Sequence, residues 1–177
     1  MIFKFKLLFL IFFSISGFSM VIDNLDNIRG NWSAISDNVM GGISEVNFYE
    51  IEEDGKKFYR LEGQVSTENN GGFIQSVVRI NNSAEDFNGI RVQVRGSKDG
   101  YYLWIRTPAC RFPWDRYIAY FEPSNEWSSI EIPFSGLKKS NFYMPKKMNS
   151  SRIKTIALAA YGKDFDARLD IGNIEFY

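Results

Sequence analysis

Short stretches in which apolar and polar residues alternate recur along the chain. In Ile90–Arg95, Ile90, Val92 and Val94 share one parity while Arg91, Gln93 and Arg95 take the other, the period of a strand with one face buried. Tyr101–Arg106 repeats it, with Tyr101, Leu103 and Ile105 set against Tyr102, Trp104 and Arg106. Phe73–Ile80 sets Ile74, Ser76, Val78 and Ile80 against Phe73, Gln75, Val77 and Arg79. Further strands are predicted over Glu45–Tyr49, Phe58–Val65, Arg116–Phe121, Trp127–Phe134, Ile156–Tyr161 and Ala167–Tyr177. Asp54-Gly55 predicts a tight hairpin tip, and Gly96–Gly100 predicts a turn leading straight from one alternating strand into the next. Beyond the N-terminal segment, no run of ten or more residues carries a helical period. The pattern predicts an all-β protein, a sandwich or a barrel.

The N-terminal segment reads differently. Lys4 and Lys6 precede an apolar run from Leu7 to Phe13, and Ser14, Ser16, Gly17 and Ser19 follow. That order predicts a secretory signal peptide over residues 1–19, cut after Ser19 or, alternatively, after Ser16. The expected address is therefore periplasmic or secreted. The run falls short of the roughly 20 apolar residues a membrane span needs, and an uncleaved N-terminal anchor is the alternative reading. Residues 20–177 suit a single domain. Acidic and basic residues balance, 21 of each, and losing Lys4 and Lys6 leaves a slight acidic excess. Such a chain lacks the basic excess that captures nucleic acid.

Side-chain chemistry narrows the classes further. The chain has no histidine and a single cysteine, Cys110. Transition-metal sites and histidine-activated nucleophiles lose their usual groups, and neither a metal site nor a cofactor is expected. Cys110 reads as a small buried hydrophobe, as a free thiol, or as a thiol paired with another molecule. Asp37, Glu68 and Asp115 sit in loops, so a carboxylate pair for glycoside hydrolysis stays formally open. Asp37 also reads as the tie of its own turn. The Ser66–Gly72 loop offers amide oxygens and bare backbone to a ligand, or is a wide turn between strands. Ser135–Ser151, the longest irregular stretch, reads as a functional loop or a lid over the core.

The polar parities carry the functional expectation. If the strands bearing them are neighbours, Gln75, Arg79, Arg91, Gln93, Arg95, Tyr102, Trp104 and Arg106 share one outward face. A face that is aromatic, amide-rich and basic suits a protein segment or a polar ligand. A solvated face of ordinary cross-strand pairs is the alternative.

Seven segments in order carry a resemblance. They are Trp32 with SDNVMGG at Ser36–Gly42, ENNGGF at Glu68–Phe73, VRG at Val94–Gly96, YYLWIRT at Tyr101–Thr107, PWDRYIAYF at Pro113–Phe121, Trp127 with IPF at Ile132–Phe134, and AYGKDFDARLDIGNIEFY to the end. Through them the chain resembles the complex I intermediate-associated protein 30 family in its bacterial form, over essentially the whole chain after the signal segment. The resemblance implies a galactose-binding-like jelly-roll β-sandwich of two antiparallel sheets. It also implies a non-catalytic role like that of the mitochondrial members, which are assembly factors of respiratory complex I, and it supplies no catalytic residues. The expected binding surface is Arg95, Tyr102, Trp104 and Arg106, rimmed by Asp37, Asn69, Asn70, Trp114 and Tyr117. The expected partner is a protein, a membrane-complex subunit or assembly intermediate. A carbohydrate ligand is the alternative, and a hydrolase using loop carboxylates is the second alternative.

Overall fold

The computed structural model describes residues 18–177. The expected signal peptide lies outside the described residues apart from Phe18 and Ser19. Twelve strands follow in order: β1 (Met20–Asp23), β2 (Trp32–Ser36), β3 (Asn47–Glu53), β4 (Lys56–Val65), β5 (Phe73–Arg79), β6 (Gly89–Gly96), β7 (Tyr101–Arg106), β8 (Tyr117–Phe121), β9 (Ser128–Pro133), β10 (Lys138–Lys139), β11 (Thr155–Tyr161) and β12 (Phe165–Phe176). Among the described residues the only helical pieces are single 3-10 turns.

The strands form two six-stranded antiparallel sheets. The first has the order β3-β4-β12-β6-β9, and β1 pairs with the far end of β12. The second has the order β10-β8-β7-β11-β5-β2. The predicted inward parities meet between them. Ile90, Val92 and Val94 of β6 oppose Leu103 and Ile105 of β7, Ile156 and Leu158 of β11, and Ile74 and Val78 of β5, all fully buried in one apolar core. Core contact of this kind is the main stabilising term of a sandwich. Asp54-Gly55 makes the predicted hairpin tip between β3 and β4, both residues having positive φ. Met144 and Met148 plug one end of the sandwich from the long 140–148 loop, the lid reading of that stretch.

The turn at residues 96–100 leads from β6 into the β7–β8 hairpin, but the condition on the shared outward face, that the strands are neighbours, is not met for β6 and β7. Gly96 ends β6 in the first sheet and Tyr101 begins β7 in the second, so the chain changes layers there. Arg91, Gln93 and Arg95 consequently lie on the opposite outer surface of the molecule from Tyr102, Trp104 and Arg106. Parity fixes which side of its own sheet a residue takes, but not which sheet the strand joins. A second expectation is refined, since Phe73–Arg79 and Tyr101–Arg106 lie in one sheet but are separated by β11.

Candidate functional site

The outer face of the second sheet is built row by row from its register. Across the middle, Ser33, Val77, Ala157, Trp104 and Ile118 lie side by side on β2, β5, β11, β7 and β8. The neighbouring row places Arg79 and Arg106 on either side of Thr155. The central strand β11, TIALAAY, contributes only Thr155, Ala157 and Ala159 to this part of the face. These short side chains leave a trough between taller neighbours. Two loops raise its walls. One carries Val39 and Met40 from the 3-10 turn Asp37–Met40, and the other carries Pro113 and Trp114. The result is an open groove of about 950 Å³.

Its lining is mixed. Phe73, Val77, Trp104 and Ile35 make an apolar floor, and Gln75, Asn31 and Ser33 add amides and a hydroxyl. Phe73 packs edge-on against Trp104, and the Arg116 guanidinium lies 3.8 Å over the Trp104 ring. The Trp104 indole N–H is buried with no hydrogen-bond partner among the described residues. Three arginines, Arg79, Arg106 and Arg116, line the groove. Among the described residues none of them is within 4.0 Å of a carboxylate. Arg106 donates to the carbonyls of Phe112 and Pro113, which holds up the wall loop that carries Trp114. Arg116 donates to the Trp114 carbonyl at 3.1 Å. Burial pulls the Arg116 guanidinium below its usual value.

The expected site residues divide accordingly. Trp104, Arg106 and Trp114 line the groove. Tyr102 shares their face but lies beyond it, packed edge-on against Tyr120 and Tyr161. Arg95 is a correction: on the first sheet, it pairs with Asp170 and Glu53. Tyr117 is a second correction. Its parity follows Ile105, its register partner, so its ring lies in the core and its hydroxyl donates to the Pro145 carbonyl at 3.0 Å. The outward residue there is its predecessor, Arg116. In PWDRYIAYF both parities carry bulky residues, so alternation alone did not separate them. Parity places Arg79 on this face, and the structure adds it to the groove lining. The aliphatic wall of Val39 and Met40 carried no sequence signal beyond its turn.

Asn69 and Asn70 form an exposed turn outside the groove, both with positive φ, a conformation asparagine tolerates. Their turn delivers Gly71 and Gly72 to Asp37. That carboxylate is fully buried. It accepts from the Ser44 amide at 2.9 Å, the Ser44 hydroxyl at 2.5 Å, the Gly72 amide at 2.5 Å and the Phe73 amide at 3.1 Å. A Cβ on Gly42 or Gly71 would come within 2.5 Å of the same carboxylate. The bare backbone of both glycine pairs therefore serves the chain's own Asp37. Burial pushes this carboxyl up, but the donated hydrogen bonds outweigh it and hold it below the ordinary value.

Asp115 is engaged in the same way. It accepts from the Arg111 and Phe112 amides, the Asn141 amide and the Tyr143 hydroxyl. Desolvation raises it, and these bonds together bring it below its usual value. Both loop carboxylates are thus committed to holding loops, while Glu68 is exposed on its turn and outside the groove lining. Among the described residues no three His, Cys, Asp or Glu side chains cluster as metal ligands would. Cys110 is a half-buried free thiol packed against the core.

Layered antiparallel sheets in this order define the class of galactose-binding-like jelly-roll sandwiches. The chain superposes on the family 11 carbohydrate-binding module of a Clostridium thermocellum cellulosomal cellulase with a TM-score of 0.72 at 15% identity, covering 89% of this chain and 93% of that one. It superposes on a family 30 carbohydrate-binding module, also from a Clostridium thermocellum cellulosomal cellulase, with a TM-score of 0.64 at 11% identity, covering 90% and 97%. At such identities the likeness establishes the fold alone. Comparison with curated proteins finds no match. Residues 23–171 match the model of the family described as Complex I intermediate-associated protein 30, and the chain belongs to that family.

Proposed function

We propose that this protein is a non-catalytic binding module that holds a segment of another protein in the groove of its second sheet. The observation that carries this reading is the set of three groove arginines without a carboxylate partner, set beside an aliphatic and aromatic floor. Unpaired guanidiniums at a partly dry surface are poised for carboxylates brought by a ligand. Ile35, Val39, Met40 and Val77 suit apolar side chains rather than the hydroxyl-rich surface of a sugar. The occupant is therefore a segment carrying acidic and apolar residues. The family description supports an assembly intermediate of a membrane complex as its source, and the Lys-rich start, apolar run and small residues of the first 19 positions support export.

Affinity purification of the tagged protein from its own membranes tests this. Subunits of one membrane complex should be recovered with the wild-type chain and lost with a Val39→Asp/Arg79→Glu double variant. Equal recovery with both chains overturns the reading.

A carbohydrate ligand is the second reading, and one local observation favours it. Phe112 and Trp114 stack 5.1 Å apart and nearly parallel at the groove rim, and both are exposed. Flat exposed rings are sugar platforms, and the family 11 module has been solved with a β-1,3-1,4-mixed-linked tetrasaccharide. Calorimetric titration with that tetrasaccharide separates the two: heat that disappears in Trp114→Ala favours the sugar.

A further inference from the structure

A second surface lies beside the groove, at the end of the sandwich where β8 begins. Two loops meet there, 108–116 and 140–148, and Asp115 binds them together by accepting from Asn141 and Tyr143 of the second loop. Four aromatic side chains stand on this crest. Phe142 is 89% exposed, the most exposed aromatic among the described residues. Trp114, Phe112 and Tyr143 are also exposed, and the rings contact one another in sequence: Trp114 on Phe112, Phe112 on Tyr143, Tyr143 on Phe142. Solvent-facing rings linked in this way form a continuous apolar patch of the sort that marks a contact surface.

The charge around the crest has one sign. Residues 134–155 contain Lys138, Lys139, Lys146, Lys147, Arg152 and Lys154 and neither aspartate nor glutamate. This is the more notable in a chain whose acidic and basic residues balance overall. Lys146 and Lys147 are exposed, as is Arg111 next to Phe112. Asp115 is the one carboxylate within the two loops, and it is buried under its own donors, so the charges these loops present to solvent are basic. Lys139 turns inward, donating to the Phe142 and Met144 carbonyls at 2.6 and 2.8 Å, and so fixes the backbone that projects Phe142.

We propose that this crest docks the domain on an anionic bilayer surface. Aromatic side chains settle at the headgroup level, where one part of the ring is apolar and the edge is wet. Lysines within a Debye length of anionic headgroups gain from the surface potential. The combination explains why four rings are left in solvent on loops that are otherwise closely tied. The docking residues other than Trp114 lie outside the groove lining, so the surface does not depend on what the groove holds.

Vesicle flotation of the full chain tests the proposal, comparing phosphatidylglycerol-containing vesicles with pure phosphatidylcholine. The wild type should float with the anionic vesicles about thirtyfold more efficiently than with the zwitterionic ones, the gain expected from two surface lysines. Lys146→Glu/Lys147→Glu should abolish that preference, and Phe142→Ser should weaken binding to both vesicles. The N-terminal apolar run is common to every variant, so differences among variants report the crest. A Phe142→Trp variant made in a Trp114→Phe background replaces a side chain that is 89% exposed, and brominated anionic lipid should quench it more strongly than it quenches the Trp114→Phe parent. Equal flotation with both lipids, variants indistinguishable from wild type, or a Trp at position 142 that escapes quenching each overturns the proposal. Val39→Asp/Arg79→Glu should float like the wild type, which separates failure here from failure of the groove reading.

Discussion

The two outer faces of the sandwich carry similar residues and treat them oppositely. On the first sheet, Asp170 is buried between Arg60 and Arg95, receiving Arg60 at 2.6 and 2.9 Å and Arg95 at 2.9 Å. Arg91 on the same sheet is paired with Glu131 and Glu175. The Arg60 and Arg95 guanidiniums lie over the Phe58 ring and Arg95 also over Trp127, while Arg91 lies over Tyr177. On the second sheet, three arginines face a trough with no acidic partner among the described residues. The contrast shows that composition alone does not mark a binding face. Arginine beside tryptophan occurs on both, and what distinguishes them is whether the charge is already satisfied.

The heaviest test of that contrast is Asp170→Ala. It leaves two largely buried guanidiniums, with side-chain exposures of 13% and 22%, facing each other without their shared counter-charge, Arg95 keeping only the exposed Glu53. Loss of one member of such a cluster costs about 3–5 kcal/mol. Urea denaturation should show a drop of that size, while groove binding is unchanged in the folded fraction. A drop below about 1 kcal/mol would mean that the first face is not closed by its ion pairs.

A smaller effect is expected on the groove side, where the buried carboxylates are held by amides and hydroxyls instead of guanidiniums. Gly71→Ala puts a methyl group 2.5 Å from an Asp37 carboxylate oxygen, and overpacking of that kind costs about 1–3 kcal/mol. The same loop should make stability acid-sensitive. Asp37 and Asp115 have folded-state values below 3.8, their ordinary one. Stability linked to them is fully present above the unfolded value and is lost as pH falls through the depressed folded values. Asp37→Asn should therefore lie below wild type at neutral pH, and the gap should narrow as the pH is taken below 3.8. Denaturation curves at a series of pH values check the sign, and a gap that widens in acid contradicts it.

The sequence made the strands legible because most have one face of aliphatic residues and one of polar ones, as in IRVQVR and YYLWIR. It made the layers illegible at Gly96–Gly100, where a turn-like stretch serves equally for a hairpin or a crossing between sheets. Arg95, one residue before that stretch, therefore lies on the other outer surface from Trp104 and Arg106 although it shares their outward parity. β11 gave no facial contrast, since TIALAAY is apolar throughout, yet its two outward alanines are what hollow the groove. Asp37 was readable as the tie of a turn. That two of its donors, the Gly72 and Phe73 amides, come from 35 and 36 positions further on was not, because the pairing of the two glycine loops depends on β2 lying against β5.

The lightest effect on stability should accompany the heaviest effect on binding, at Arg79. Its guanidinium makes no hydrogen bond among the described residues and lies across Thr155 from Arg106, two strand spacings or about 10 Å away. At that distance and exposure the mutual repulsion is small and screened. Arg79→Glu should leave the folding free energy within about 0.5 kcal/mol of wild type, on the neutral or slightly stabilising side. The same change places a carboxylate where the proposed ligand presents its own, so affinity for an acidic segment should fall about tenfold or more. Arg91→Glu on the first sheet is the matched control. It sets a third carboxylate beside Glu131 and Glu175 and should reduce stability more than Arg79→Glu while sparing binding. Thermal melts and a binding isotherm on the two variants read the comparison directly, since a structural arginine moves the first and a recognition arginine moves the second. If Arg79→Glu proves the more destabilising of the pair, the unpaired charge belongs to the fold, and the groove loses the feature that nominates it.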